Sequence, residues 1–249
     1  MTTAASGARP DKLGVLGGMG PLATVDFLRK LIALTPAMAD DQHIPVVVTS
    51  EPQIPPRPAA RLDPANPSPL PALLARRDFL VGAGARAIAM PCNTAHFWYD
   101  ELTAGLAIPF LHIVEAVIAE LAKRGLEGAT VGLIGTRATL EGRLYEAPLT
   151  EKGFRCLLPA EAVNVELVFP GIKLVKQNKP AEAGRLFRRA AEKLLDQGAA
   201  VVVLACTEVP VGLSDADPWV AAHCLDPNEA LAQACVDWAL AARKGAGLV

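Results

Sequence analysis

The chain has 249 residues, enough for one large domain or two small ones. It is 51% hydrophobic and 20% charged, which supplies a packed core. A formal net charge of -2 and an aromatic content of 5% argue against nucleic-acid partners and give no attraction to a membrane surface. Five cysteines, an odd number without framework spacing, read as free thiols of a reducing cytoplasm. No apolar run reaches the roughly 18 residues of a membrane span. Residues 1–10 lack the apolar core of a signal peptide, and Met1 to Pro10 reads as a frayed tail.

In chain order, Leu13 to Gly17 is predicted as a buried strand ending in a glycine turn. Ala23 to Leu34 carries helical spacing, with Val25, Leu28, Leu31 and Ile32 on one side. Ile44 to Thr49 is a second strand, 72–83 a helix, Arg86 to Met90 a strand, Thr94 to Leu106 a helix and Pro109 to Ile113 a strand. The pattern then restarts. Thr130 to Gly135 is a strand and turn, Thr139 to Leu149 a helix, and Phe154 to Leu158 a strand. Ala181 to Gln197 is a long helix, Ala199 to Ala205 a strand, His223 to Leu225 a short strand and Asn228 to Arg243 an amphipathic helix. Strands alternating with helices imply parallel sheets with covered faces, an α/β fold.

The restart has a measurable offset. Gly14-Val15-Leu16-Gly17 resembles Gly132-Leu133-Ile134-Gly135 at 118 residues, Cys92 and Cys206 are 114 apart, and Arg57 and Lys173 are 116 apart. Three features at nearly one spacing predict two α/β halves of similar topology. Between 52 and 71 lie eight prolines, which cannot sit inside a strand or helix. That stretch is either a stiff surface connection or a loop holding Arg57 over a cleft.

Two cysteine motifs carry the chemistry. Pro91-Cys92-Asn93-Thr94 ends one apolar run, and Cys206-Thr207-Glu208 ends another. In open parallel sheets ligands bind beyond the carboxyl ends of strands, where both thiols fall. Backbone N–H groups and the helix dipole there favour a thiolate, and a modest downward shift would give a base near neutrality. Two thiols facing across one cleft could take a proton from one side of a carbon and return it on the other. Asn93, Thr94 and Thr207 supply hydrogen bonds beside the thiols, or cap helices. The turn Gly17-Gly18-Met19-Gly20-Pro21 fits a dinucleotide fingerprint only in part: Pro21 crowds it, and the next acidic residue after a strand, Glu51, comes 31 residues after Gly20 rather than about 20. Close approach of its backbone to a small anion fits better, and Thr136, after the equivalent turn, serves likewise. Arg57 and Lys173 are the candidate cations for a second carboxylate. His96, one turn after Cys92, either orients the site or, as the first choice, is a helix-surface residue; His43, His112 and His223 read as structural, with no metal spacing. Cys156, Cys224 and Cys235 read as core.

Gly17-Gly18-Met19-Gly20-Pro21-x-Ala23-Thr24, Pro91-Cys92-Asn93-Thr94-Ala95-His96 and Cys206-Thr207-Glu208 together resemble the aspartate racemase branch of the aspartate/glutamate racemase superfamily, in order and spacing across nearly the whole chain. Glutamate racemases resemble it less, usually having Asp-Ser-Gly in the first turn and Thr-His after the second cysteine. The resemblance implies two pseudo-symmetric domains, each a parallel sheet flanked by helices, with the active site in the cleft between them. The expected boundaries are 1–114 plus 226–249, the C-terminal helix returning to the first domain, and 115–225. It implies no pyridoxal phosphate, no other cofactor, no metal and a homodimer. It makes Cys92 and Cys206 the catalytic pair, acting on the D- and L-enantiomer respectively. Met19, Gly20, Arg57, Asn93, Thr94, Thr136, Lys173, Thr207 and Glu208 become substrate-binding residues, with Lys176 the second choice to Lys173. The resemblance makes aspartate the expected substrate; family members carry Ile-Pro-Asp-Arg followed by Ser or Thr where this chain has Ile54-Pro55-Pro56-Arg57-Pro58, and the changed neighbours of Arg57 leave glutamate or broad specificity open. The competing readings are a maleate isomerase-like or arylmalonate decarboxylase-like enzyme on the same scaffold, a nicotinamide-dependent oxidoreductase, and a non-catalytic amino-acid sensor.

Overall fold

The structure, a computed structural model, describes residues 9–213 and 217–247. Residues 1–8 of the expected N-terminal tail lie outside the described residues. Two four-stranded sheets form the frame, and every strand pair in them is parallel. In the first, β1 (Leu13–Gly17) lies between β2 (Val46–Ser50) and β3 (Ala87–Ala89), with β4 (Phe110–Leu111) outermost. In the second, β5 (Thr130–Gly135) lies between β6 (Arg155–Leu157) and β7 (Val201–Ala205), with β8 (Cys224–Leu225) outermost. The strand orders β2-β1-β3-β4 and β6-β5-β7-β8 are the same topology used twice, as the sequence offset predicts.

Both sheets reverse direction of growth at their first strand, because the chain goes one way to β2 and the other way to β3. Such a switch point leaves a crevice beyond the carboxyl ends of the two neighbouring strands. Here those ends are the glycine turn after β1, Cys92 after β3, Thr136 after β5 and Cys206 after β7. Continuous apolar runs form the central strands, since parallel strands are covered on both faces; β1, β3 and β7 are buried along their full length.

Helix α1 (Pro21–Leu34) follows β1, opening with Pro21 where a missing N–H costs nothing. Its buried side is Ala23, Thr24, Phe27, Lys30 and Leu31, and of the expected stripe Leu31 is buried and Leu28 packs partly buried against the core. Val25 and Ile32 are exposed, on a side of α1 turned away from its packing against α13. The proline stretch is not all loop: it contains α2 (Arg57–Leu62), with Pro58 in its first turn. Next comes α3 (Leu70–Gly82). Thr94 to Leu106 is not one helix; a 3-10 segment, Thr94–Trp98, leads into the short α4 (Tyr99–Thr103). Ile113 belongs to α5 (Ile113–Lys123), which apolar content alone did not distinguish from strand.

In the second half, the expected helix 139–149 is split into α6 (Arg137–Glu141) and α7 (Glu146–Glu151). Gly142 and Arg143 break it, the latter at φ 55°. An unexpected helical stretch follows β6: α8 (Glu161–Val163), a π turn (Asn164–Val168) and α9 (Phe169–Lys176). Pro170 sits in the first turn of α9, where its missing N–H costs nothing. A side chain on Gly171 would meet the Phe187 ring at 2.5 Å, so glycine here permits close packing. The remaining helices are α10 (Pro180–Asp196), α11 (Glu208–Gly212), α12 (Pro218–His223) and α13 (Pro227–Gly245). The largest core is shared by both halves: β1, α1, α5, β5, β7 and α13 all contribute to it.

Candidate active site

Cys92 and Cys206 are set by the same local geometry. In each case the thiol-bearing residue folds back on its strand, the Cys92 N–H donating to Met90 O and the Cys206 N–H to Leu204 O, both at 2.8 Å. This tight i to i−2 turn ends the strand and turns the side chain off the sheet axis. Both thiols are free and buried, at 5% and 3% exposure. They line one cleft together with Met19, Arg57, Pro58, Asn93, Thr94, Thr136, Lys176, Thr207 and Glu208. The sequence-predicted residues are therefore brought together with one exception and one near neighbour. Lys173 is exposed and does not line the cleft; Lys176, one turn further along α9, does. The offset that pointed to Lys173 fails because the second half carries α8, the π turn and α9 where the first half has its proline stretch and α2. Gly20 stands just outside: a side chain added there would reach within 3.6 Å of Glu208 Oε1.

The glycine turn is shaped by close approach. Gly18 has φ +92°, and a Cβ on it would lie 2.1 Å from the Glu51 N, so only glycine lets the end of β2 pass. Gly18 N–H donates to Thr24 Oγ1 at 2.8 Å, which ties the turn to α1.

The two halves meet across the cleft through hydroxyls. Thr94 Oγ1 lies 3.2 Å from Thr136 Oγ1 and 3.0 Å from Thr139 Oγ1, and the last two are 2.9 Å apart. Thr136 also caps α6, accepting from the Thr139 N–H. Tyr145, fully buried between α6 and α7, donates its hydroxyl to Asn93 Oδ1. That bond fixes the Asn93 amide with its NH2 turned away from Tyr145. Asn93 Nδ2 has no protein partner, and neither has Arg57 Nε, although both are buried. Arg57 Nη1 is engaged by Ile54 O at 2.9 Å and Pro55 O at 3.2 Å, so its loop holds the guanidinium in place. Two anchored, unsatisfied donors in one polar cleft are what an anionic ligand requires.

His96 is not on a helix surface. It is buried, its Nδ1 2.9 Å from Cys92 O and its Nε2 accepting from the Ile113 N–H at 3.2 Å. Accepting at Nε2 leaves the proton on Nδ1, so the ring donates to the Cys92 carbonyl. Burial, with the neighbouring His112, pushes its pKa down to about 3 and keeps it neutral. Tyr145, Thr139 and His96 are thus site-supporting residues that motif reading passed over; only the His96 spacing from Cys92 hinted at it.

The thiols themselves do not show the expected downward shift. Burial raises both, and five-residue α11 and a 3-10 turn offer little dipole to oppose it. They differ in their neighbours. At Cys92 the Arg57 charge works against the burial effect. At Cys206 the Glu208 carboxylate adds to it, and the thiol is held well above its ordinary range, with only Lys176 and a backbone hydrogen bond opposing. Cys206 Sγ lies 3.0 Å from Glu208 Oε2, donating to it. Free space in this closed cleft is about 20 Å³, room for a single water. No group of three or more His, Cys, Asp or Glu among the described residues is arranged to hold a metal ion.

The Asp/Glu/Hydantoin racemase family pattern matches residues 16–235. A broad specificity amino-acid racemase, RacX of Bacillus subtilis (strain 168), is 27% identical over 206 residues, spanning 79% of this chain and 85% of that protein. Among solved structures, Picrophilus torridus aspartate racemase superposes with a TM-score of 0.81 at 30% identity, covering 92% of this chain and 94% of that one. Glutamate racemase from Francisella tularensis subsp. tularensis, solved with D-glutamate, shares the fold at a TM-score of 0.67 and 15% identity, covering 96% of this chain and 84% of that one. With the family pattern running from β1 into α13 and the doubled parallel sheet matched over almost the full chain, the protein belongs to the Asp/Glu/Hydantoin racemase family and is an isomerase.

Proposed function

We propose that the protein is a cofactor-independent amino-acid racemase that inverts the α-carbon of an acidic substrate, aspartate foremost, with Cys92 and Cys206 as its two bases. The reading is carried by one observation: both thiols line a single buried cleft that also holds two unsatisfied donors, Arg57 Nε and Asn93 Nδ2. A thiolate on one wall takes the α-proton, leaving the electron pair on carbon. The thiol on the other wall delivers its proton to the opposite face and keeps the S–H pair on sulfur. Asn93, Thr94, Thr136 and Thr207 bind the α-carboxylate, and Arg57 with Lys176 binds the side-chain carboxylate. Fixed donors in a water-poor cleft stabilise the charge that develops on the substrate.

Because the closed cleft has room only for water, substrate enters when the halves 1–114 plus 226–249 and 115–225 separate. The free thiols suit a reducing cytoplasm, and the chain works as a homodimer. The test incubates L-aspartate with enzyme in heavy water without added cofactor and follows inversion by chiral chromatography and α-deuteration by mass spectrometry. Both should appear together, and Cys92→Ser or Cys206→Ser should each lower the rate by at least about a hundredfold. Near-wild-type turnover in either variant rules out the two-thiol reaction; inversion of other amino acids at equal rate with none of aspartate rules out the acidic substrate.

A further inference from the structure

The two thiols are chemically unequal, and their neighbours are the cause. Cys92 has a guanidinium beside it, that of Arg57 at the start of α2. Cys206 has a carboxylate, that of Glu208, two residues along the same turn and in direct hydrogen-bond contact at 3.0 Å. Glu208 is itself buried, at 8% exposure. Among the described residues it forms no ion pair, and its side chain's one hydrogen bond is the one from Cys206. A buried carboxylate without a partner cation needs a donor, and the thiol proton is the donor supplied.

We propose that Glu208 is a positioning residue that keeps a proton on Cys206, so that Cys92 ionises first and the resting enzyme carries its base on the Cys92 wall and its acid on the Cys206 wall. This rests on the two-thiol reading and extends it. In the first half-reaction the Cys92 thiolate takes the α-proton, forming S–H as C–H breaks. Cys206 then gives its proton to carbon, and its sulfur retains the electron pair. That leaves a thiolate 3.0 Å from a carboxylate. Two like charges at such a distance favour proton uptake by Cys206, and loss of the abstracted proton from the Cys92 thiol to solvent then restores the starting form. The charged groups that bear on this are few. Around Cys206 they are Glu208 from its own turn and Lys176 from α9. Around Cys92 they are Arg57 and, across the cleft, Glu208. Tyr145 is buried nearby, and burial, with the Asp226 charge, keeps it protonated.

A glutamate after this Cys-Thr pair thereby acquires a chemical reason. A neutral residue there would let both thiols ionise at similar pH, and a doubly ionised cleft has no acid with which to finish inversion. Glu208 keeps the two sulfurs apart in proton affinity even though the surrounding turns are near copies of one another.

The deciding experiment needs no turnover, so its outcome is independent of whether racemisation is observed. Full-length enzyme without substrate is treated briefly with iodoacetamide across a pH series, and modification at Cys92 and Cys206 is counted by peptide mass spectrometry. In the wild type, Cys92 should reach half-maximal rate at lower pH than Cys206. Glu208→Gln keeps the shape and removes the charge; it should move the Cys206 midpoint down by about one pH unit, a roughly tenfold gain in thiolate below the midpoint, and leave Cys92 moved far less. Glu208→Asp draws the carboxylate back while keeping its charge, and should fall between. Circular dichroism confirms that each variant is folded. Cys206 ionising before Cys92 in the wild type overturns the proposal without any variant. So does an unmoved Cys206 midpoint in folded Glu208→Gln.

Discussion

Asn93 can present its amide NH2 to a carboxylate only because Tyr145 occupies the other side of the amide. Tyr145→Phe keeps the ring, which packs in the shared core, and removes the donor. The Asn93 amide then loses its fixed orientation, and one hydrogen bond of about 1 kcal/mol is lost. The expected outcome is a rise in KM for the amino acid of about fivefold with kcat changed less, and little change in melting temperature; steady-state kinetics and a thermal scan check it. His96 works differently at the same scale. Its neutral ring fills both of its hydrogen-bonding positions with backbone, so it holds the Cys92 turn against the start of α5 and takes no proton from substrate.

At the scale of elements, α13 is fastened to the first half at both ends. Lys30 of α1 is buried between Asp26 at 2.7 Å and Asp226, the residue that caps α13 by accepting from the Asn228 N–H. At the far end Arg243 binds Asp11 at 2.7 Å through Nε and donates to Gln42 O and His43 O. Burial and the Asp26 charge raise Asp226 to about 6 despite the Lys30 charge, while those two carboxylates raise Lys30. Lys30→Met would leave the buried Asp226 facing the partly exposed Asp26 without their shared cation, and should cost about 3 kcal/mol of stability at neutral pH. The penalty should shrink as pH falls, because a carboxyl whose pKa is raised is neutralised sooner. Urea unfolding at two pH values measures both. Elements of this kind were unevenly legible in the sequence. Strands ending at Cys92 and Cys206 stood out because an apolar run stops abruptly at a polar turn. Helix α9 did not, since Pro170-Gly171 imitates a turn until Phe187 is seen to need the space. Helix 139–149 read as continuous although Gly142 offered the cue for its break. The uniform offset points to Lys173 rather than Lys176 because α8, the π turn and α9 have no counterpart in the first half.

For the whole molecule, the doubled topology could be read from spacing, whereas the open edge of the first sheet could not. Val46 and Val48 on β2 and Ile32 on α1 flank a groove that no element of this chain covers among the described residues, and Val25 is exposed on the same helix. In the second half the equivalent region is filled: Leu140, Tyr145, Leu149 and Phe154 pack into the shared core. An exposed edge strand with apolar neighbours invites pairing with a like edge. A homodimer built on this face should therefore give way to monomer in Ile32→Glu, with the cleft chemistry retained in each subunit at low substrate. Light scattering on the eluting protein decides it: a monomeric wild type, or an undisturbed dimer in the variant, rules this face out as the interface.

The threonine triangle has a cost for any guest. Thr94 and Thr136 now satisfy each other, and Tyr145 clasps Asn93 from the opposite half. The same hydroxyls cannot greet a carboxylate without first letting go of their neighbours. On the proposed reading, the threonine hydroxyls that join the two halves are also the ones that would receive the α-carboxylate. They then exchange one hydrogen bond for another, whereas Asn93 Nδ2 and Arg57 Nε gain a partner they lack, so discrimination among side chains would fall to Arg57 and Lys176.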